Sequence, residues 1–282
     1  MSNRVSTSEL RDTWDSAAPG WAKWESEFTK NLAGPTEKLL DLAGVSSGMR
    51  VLDLACGAGS QTLKAAARVG DGGHVVACDI AAEMLKHLSA NAERAGMHNI
   101  ETLCSAAEEL ADAVEPFDAA FSRLGLMLFA SPTDALTAIQ KVLKPGARFA
   151  ALVFTTPANN RFQSEPMAIL RRHAGAPPPE PQAPGLFALG GPGVLEGLLR
   201  DNGFVDIEMT TVRAPLRLPS VDDAVAFLRE AAGAYRAVVA DLSDAAKAAA
   251  WAEVRDCAEQ FVGDTGFESE RELIIGSGAK PS

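Results

Sequence analysis

The sequence predicts an α/β fold built on a doubly wound, mostly parallel sheet. From about residue 49 to residue 154, short apolar runs alternate with segments of helical pattern, and only short turns separate them. The first run leads into a loop with two glycines, VLDLACGAG at residues 51–59, and Asp53 is its only charge. Such a run is typical of a strand that is buried on both faces. The connections between parallel strands are expected to be right-handed.

Composition and charge exclude several classes of protein. The chain has 282 residues, of which 47% are hydrophobic and 22% are charged, so it can bury a sizeable core. The net charge of −11 argues against a nucleic-acid partner, because such a partner requires clustered Lys and Arg.

The compartment is predicted from what the sequence lacks. Residues 1–15 do not have the apolar core of a signal peptide, and no stretch approaches the roughly 20 apolar residues of a membrane span. The four cysteines lie far apart, which favours neither a disulfide framework nor a zinc site. We therefore expect a cytoplasmic protein with no membrane span and no metal site.

The individual elements follow from periodicity and from turn residues. Strands are predicted at 50–55, 74–79, 99–104, 117–122, 147–154, 204–213 and 270–276. Helices are predicted at 60–69, 81–96, 132–143, 166–174, 193–201, 221–240 and 243–262. The proline-rich residues 155–192 are expected to be mostly loop, and a flexible tail is expected from Ser277 onward.

The N-terminal residues 9–32 contain three of the four tryptophans. A break at Pro19 and Gly20 predicts two short helices, followed by a third helix that begins at Pro35. Trp21, Trp24 and Phe28 are spaced as one aromatic stripe. The stripe packs either on the domain core or as a lid over a ligand.

The loop after the first strand is typical of a nucleoside site. Gly57 and Gly59 tolerate positive φ and let a ligand lie against the backbone. Dinucleotide dehydrogenases and S-adenosylmethionine methyltransferases share this pattern, but the dehydrogenase fingerprint needs a third glycine where this chain has Thr62. Asp53 is expected to reach over the loop toward a cationic ligand. Asp79, at the end of the next strand, can accept from ribose hydroxyls or cap the following helix.

Five motifs together resemble those of the class I S-adenosylmethionine-dependent methyltransferases, and in particular the ubiquinone/menaquinone-biosynthesis-like group that acts on small molecules. They are residues 51–62, Asp79, AAEEL at 106–110, FDAAFSR at 117–123 and LKPGA at 143–147. The Trp-rich segment at residues 14–21 is similar to the opening of that group. The resemblance covers about residues 10–160.

The resemblance implies a Rossmann-like sheet of seven strands, one of them antiparallel. It implies a helical lid segment at residues 1–34 and a methyltransferase domain at 35–282. Within that domain, it implies a cofactor-binding core at 35–154, acceptor-side loops and helices at 155–262, and a last strand at 268–276.

The resemblance also implies the roles of individual residues. Those implied to hold the cofactor are Asp53, Ala55, Gly57 and Gly59 at the methionine part, Asp79 and Ile80 at the ribose, Ala106, Ala107 and Glu108 at the adenine, and Met84 and Ser122 nearby. Arg123 would border the methyl group and the acceptor. The family commonly has Asp where this chain has Ala106, so the adenine amino group needs another acceptor, such as the backbone or Glu108.

The predicted function is transfer of a methyl group from S-adenosyl-L-methionine to a small acceptor, aromatic, quinone-like or polyketide-like, with S-adenosyl-L-homocysteine as product. This in-line displacement depends on alignment, and a base is needed if the acceptor is a hydroxyl or an acidic carbon. His173 is the candidate base, and Arg123 either orients an anionic acceptor or forms an ion pair at the edge of the core. The alternatives are a non-methylating enzyme of the same fold, such as a cyclase, or a non-catalytic binding module. Either a monomer or a homodimer is expected.

Overall fold

A seven-stranded sheet forms the centre of the protein, seen in a computed structural model that describes residues 7–110, 115–177, 183–264 and 266–282. The described residues contain ten strands: β1 (Arg50–Leu54), β2 (His74–Asp79), β3 (Ile100–Cys104), β4 (Phe117–Arg123), β5 (Leu143–Phe154), β6 (Val205–Arg213), β7 (Leu216–Leu218), β8 (Val262–Gly263), β9 (Gly266–Ser269) and β10 (Glu272–Ala279). The large sheet has the order β3-β2-β1-β4-β5-β10-β6, and β7, β9 and β8 form a small second sheet. β10 is antiparallel to both of its neighbours, whereas β1 to β5 pair in parallel. The predicted fold class is confirmed.

Helices connect and cover these strands. Those in the described residues are α1 (Thr7–Lys23), α2 (Glu25–Asn31), α3 (Ala33–Leu42), α4 (Ser60–Val69), α5 (Ala82–Arg94), α6 (Pro132–Val142), α7 (Arg161–His173), α8 (Val194–Asp201), α9 (Val221–Ala231), α10 (Gly233–Val238) and α11 (Asp244–Ala258). None of the helices in these ranges is both long and apolar enough to cross a membrane.

The central strands are buried because their side chains are apolar on both faces. Residues 51–54 of β1 are all buried, and so are residues 75–79 of β2. Helices therefore cover both faces of the sheet, which is why the apolar runs are continuous and do not alternate. Because these strands are parallel, the loops that follow them meet at one edge of the sheet.

The N-terminal prediction was wrong in one respect. α1 continues through Pro19 and Gly20 to Lys23 without a break. Gly20 allows α1 to lie directly against α9, since a Cβ at that position would be 1.9 Å from the carbonyl oxygen of Glu230. Tertiary packing therefore holds a helix that the local residues disfavour.

The C-terminal half also differs from the prediction. α7 begins at Arg161, which leaves less loop than expected in residues 155–192, and Pro178 and Pro179 of that loop lie outside the described residues. The helix predicted at 221–240 divides at Ala232 into α9 and α10.

The predicted flexible tail is instead part of a strand. Ser277, Gly278 and Ala279 belong to β10 and pair with β5. Pairing between two strands satisfies the backbone of a segment whose small residues have little strand propensity of their own.

Candidate active site

A cavity lies at the edge of the large sheet where the parallel strands end. Its first side, here called the loop wall, is formed by the residues that follow β1, β2, β3 and β4. Its second side, the helical wall, is formed by side chains of α1 and α2. Residues from both walls line the same cavity.

The glycine loop between β1 and α4 forms the centre of the loop wall. Ala55, Gly57 and Gly59 all have positive φ, at 55°, 54° and 95°. A Cβ at Gly59 would lie 2.6 Å from Cγ of Leu88, so the loop can pack on α5 only without a side chain there. α4 then begins at Ser60, and its first N–H groups have no partner within the helix.

Asp79 connects the ends of β1 and β2. Its Oδ2 accepts from the Gly57 N–H at 2.8 Å, and its Oδ1 accepts from the Ala81 N–H at 2.9 Å. Burial raises the pKa of Asp79 to about 6, and these N–H groups act in the opposite direction. A carboxylate oxygen has two lone pairs, so both oxygens retain capacity for a further donor in the cavity.

Asp53 does not extend over the loop toward the cavity, as the sequence suggested. It is fully buried below the loop, where its Oδ2 accepts from the Thr62 hydroxyl at 2.6 Å and its Oδ1 has no partner among the described residues. Burial raises the pKa of Asp53 from 3.8 to about 7. Asp53 is not part of the cavity lining, because its carboxylate is turned toward Thr62 on α4.

Arg123 and Ser122 end β4 in different environments. Arg123 lines the cavity, and its guanidinium donates to the hydroxyls of Thr36 at 3.0 Å and Ser60 at 2.6 Å. Ser122 is fully buried, and its hydroxyl has no partner in the described residues. The structure therefore brings Arg123 to the cavity, while Ser122 lies behind the wall.

The remaining residues assigned to the cofactor meet at the other end of the loop wall. Ile80, Met84, Ala106, Ala107 and Glu108 all line the cavity. The Oε1 atom of Glu108 accepts from the Ser131 N–H at 3.1 Å.

The helical wall is mainly aromatic. Trp21 and Phe28 stack with ring centroids 4.0 Å apart, and Trp14 meets Trp21 edge to face. Trp24 does not share this face. It packs against Phe227 and donates to Glu230 at 2.7 Å, so the predicted single stripe divides between the cavity and α9.

Glu25 is a cavity residue that the sequence did not reveal. It lies on α2, and its Oε2 accepts from Nδ2 of Asn91 at 2.6 Å. The same amide group also donates to the carbonyl oxygen of Ala58 in the glycine loop. Burial raises the pKa of Glu25. Its spacing from Trp21 and Phe28, at i+4 and i−3, was the available signal.

His173 is not a residue of this cavity, contrary to expectation. It ends α7, and its Nε2 lies 2.8 Å from Oε2 of Glu253 on α11, in a half-buried contact between helices. The reason is that α7 begins at Arg161 and carries its C-terminal end away from the sheet edge. His173 is therefore not a base positioned for this cavity.

The sheet order, the glycine loop and the acid at the end of β2 define the class I methyltransferase fold. Within that class, residues 35–168 match the ubiE/COQ5 methyltransferase family. The resemblance drawn from the sequence motifs is confirmed.

Curated relatives match a little less than half of the chain. A ubiquinone/menaquinone biosynthesis C-methyltransferase of Pseudomonas savastanoi is 39% identical over 121 residues, which are 43% of this chain and 47% of that protein. Its counterpart in Azotobacter vinelandii is 36% identical over 121 residues, 43% of this chain and 48% of that protein. The chain thus spans about half the length of the curated relatives it matches.

Solved structures are similar over more of the chain. The YcgJ protein of Bacillus subtilis has a TM-score of 0.60 at 18% identity, covering 88% of this chain and 98% of that one. Phosphoethanolamine N-methyltransferase 2 of Haemonchus contortus, solved with S-adenosyl-L-methionine, has a TM-score of 0.61 at 20% identity, covering 99% and 61%. The [4+2]-cyclase SpnF has a TM-score of 0.61 at 16% identity, covering 99% and 98%. At these identities the likeness concerns the fold alone.

Proposed function

We propose that the protein is an S-adenosyl-L-methionine-dependent methyltransferase whose acceptor is a small aromatic, quinone-like or polyketide-like molecule. The main support is the junction of Asp79 with the glycine loop, which lies in the wall of a largely apolar cavity. The segment that forms this wall falls within the match to the ubiE/COQ5 methyltransferase family.

The residues present fit the cofactor. The two oxygens of Asp79 each accept one backbone N–H and retain lone pairs for ribose hydroxyls. The lack of side chains at Gly57 and Gly59 leaves backbone open to the methionine part. Ala106, Ala107 and Glu108 supply a mostly apolar surface for the adenine.

When bound, the cofactor would supply a methyl group carried on a sulfonium, with S-adenosyl-L-homocysteine as the other product of its transfer to the acceptor. The loop wall orients the reactants, a contribution on the order of 7–11 kcal/mol in well-aligned systems. Trp21 and Phe28 of the helical wall exclude water and present apolar faces to an aromatic acceptor. In this proposal the described residues 7–34 act as a lid, and α9, which belongs to residues 155–262, supports that lid through Glu230 and Phe227.

We also infer a cytoplasmic enzyme that acts without nucleic acid, as a monomer or homodimer. All four cysteines are free thiols, as is usual in a reducing compartment. The net charge of −11 opposes binding to phosphate backbones.

Calorimetry with S-adenosyl-L-homocysteine tests cofactor binding. Asp79→Ala should weaken binding by about 100-fold, since it removes two charge-assisted hydrogen bonds to the ribose. Asp118→Ala is the matched control, because Asp118 accepts the Arg50 N–H at the opposite edge of the same sheet and is not in the cavity lining. No binding to the wild type, or unchanged affinity in Asp79→Ala, would contradict the proposal.

Product mass tests the reaction itself. Incubation with S-adenosyl-L-methionine and a panel of quinols and phenols should yield a product heavier by one methyl group, together with S-adenosyl-L-homocysteine. A product of unchanged mass would identify the non-methylating alternative. Binding without any turnover across the panel would favour a binding module.

A further inference from the structure

Arg123 is a buried cation whose hydrogen-bond partners are neutral. Only 7% of the residue is exposed, and its bonds go to the hydroxyls of Thr36 on α3 and Ser60 on α4. No carboxylate lies within ion-pair distance of it in the described part of the chain. A buried charge is normally paired, because leaving water costs several kcal/mol per ion.

The acids nearest to Arg123 compensate its charge incompletely. Asp53 and Glu25 both favour the charged form of Arg123, but at longer range. Burial raises the pKa of Asp53 to about 7 and also raises the pKa of Glu25, so each acid ionises less readily than it would in water. The nearby carboxylates therefore do not fully neutralise the positive charge of Arg123, and an additional anionic group could bind beside it.

The orientation of the guanidinium is fixed, and it lies at the cavity. The two hydroxyls occupy two of its five N–H groups, on Nη1 and Nη2. Ser60 directly follows Gly59, which places the guanidinium beside the glycine loop. The remaining N–H groups belong to a residue of the cavity wall, where a planar fork suits a carboxylate.

We propose that Arg123 binds a carboxylate group of a ligand in this cavity. The inference rests on the proposed function for the ligand's identity, because two sources share this chemistry. One is the amino-acid carboxylate of the cofactor; the other is an acidic group of the acceptor. In either case, Arg123 selects an anionic group within this cavity.

Two pairs of probes separate the sources. S-adenosyl-L-homocysteine is compared with its decarboxylated analogue, which keeps the ammonium group and lacks only the carboxylate. Benzoate is compared with neutral benzamide, with and without saturating S-adenosyl-L-homocysteine. Each dissociation constant is measured for the wild type, Arg123→Gln and Arg271→Gln.

Arg271→Gln is the matched control. Arg271 is 3% exposed, donates to the carbonyl oxygen of Ala214 at 2.7 Å, and has an unpartnered Nη2. Among the described residues it is thus a second buried guanidinium without a carboxylate partner, but it is not in the lining of the cavity. Arg271→Gln should change the preference for the carboxylate form over the form without a carboxylate by no more than about twofold in either pair of probes.

In Arg123→Gln the preference for the carboxylate form should fall by about 10- to 100-fold in one of the pairs, the usual range for a charge-assisted bond. A fall in the cofactor pair assigns the anion to the cofactor, and a fall in the benzoate pair assigns it to the acceptor. If neither preference falls while S-adenosyl-L-homocysteine still binds, this inference is overturned and the proposed function stands.

Two further measurements cover the cases in which the wild type does not bind S-adenosyl-L-homocysteine or Arg123→Gln does not fold. If the wild type does not bind S-adenosyl-L-homocysteine, the proposed function fails, and the benzoate pair without cofactor still tests Arg123. If Arg123→Gln does not fold, Arg123→Lys should lower the preference several-fold, because it keeps the charge and loses the fork. A wild type with no preference for the carboxylate in either pair overturns the inference without any variant.

Discussion

The two walls of the cavity are held together in different ways. In the loop wall, the Gly57 N–H donates to Asp79 at 2.8 Å within a single βαβ unit. Directly below that wall, the Thr62 hydroxyl donates to the buried Asp53 at 2.6 Å. In the helical wall, the anchors are distant: the indole of Trp24 donates to Glu230, and its ring packs edge-on against Phe227. The loop wall is thus part of the sheet, whereas the helical wall depends on packing between α1, α2 and α9.

The difference indicates that the two walls should respond differently to mutation. Damage to the loop wall should lower the stability of the whole sheet together with ligand binding. Damage to the helical wall should loosen α1 and α2 while the sheet stays folded, because such segments open locally with less free energy than the core.

The largest expected effect is a pH dependence caused by Asp53. Because its pKa rises from 3.8 to about 7 on folding, the unfolded chain releases this proton first, and stability falls as pH rises between these values. Asp53→Asn should remove this dependence. Between pH 4 and pH 8, the wild type should therefore lose on the order of 4 kcal/mol of unfolding free energy relative to Asp53→Asn. Urea titrations across this range measure it, and a constant difference would contradict it.

Gly59→Ala should cost about 3 kcal/mol of stability and prevent ligand binding. Its φ of 95° is strained for alanine, and the new Cβ would lie 2.6 Å from Leu88. Gly48→Ala is the control: its φ is 81° and a Cβ there meets nothing within 4 Å, so it should cost only about 1 kcal/mol. Denaturant unfolding measures both variants. If Gly59→Ala and Gly48→Ala lost the same unfolding free energy, the close contact between Gly59 and Leu88 on α5 would not matter for stability.

Gly20→Ala should cost about 2 kcal/mol and act on the helical wall alone, since its Cβ would lie 1.9 Å from the Glu230 carbonyl oxygen. Hydrogen exchange followed by mass spectrometry should become faster in α1 and α2 and stay unchanged in β1 and β4. Gly34→Ala, in α3 with nothing within 4 Å of its Cβ, should be neutral or slightly stabilising. Faster exchange in β1 and β4 of Gly20→Ala would contradict the prediction that the helical wall can loosen while the sheet stays folded.

Trp24→Phe should have the smallest effect, about 1 kcal/mol. It keeps an aromatic ring against Phe227 and removes the 2.7 Å hydrogen bond to Glu230. Lys23→Met removes an exposed ion pair with the same carboxylate and should cost less than about 0.5 kcal/mol. Thermal unfolding of both variants measures the ranking, and a larger loss in Lys23→Met would reverse it.

Much of the loop wall was predictable because its signals are local. The strand at 50–55 and the helix at 60–69 were found within one residue of β1 and α4. Asp79 and the glycines were identified from spacing along a single βαβ unit. Asp53 was predicted to reach over the loop toward a cationic ligand, and this orientation is wrong. Its carboxylate faces the Thr62 hydroxyl on α4, a contact that the local sequence does not specify.

The helical wall was predicted less well, because its partners lie about 200 residues away in the chain. Nothing near Pro19 indicates that α1 continues, since the reason is the surface of α9. For the same reason, Trp24 was placed in the aromatic stripe and Glu25 was not recognised as a cavity residue. His173 was predicted to lie near the acceptor because it follows β5 in the chain. It lies outside the cavity because it ends α7, where it contacts Glu253 on α11.

The sequence by itself determined the parallel sheet, the glycine loop and the class of cofactor to expect, because these depend on apolar periodicity and on residues adjacent in the chain. Only the tertiary structure decided which side chains face the cavity. Arg123 is held there by hydroxyls from α3 and α4, and Glu25 is held by Asn91 on α5. Such contacts depend on how helices from separate parts of the chain pack over the same sheet edge, which no local pattern specifies.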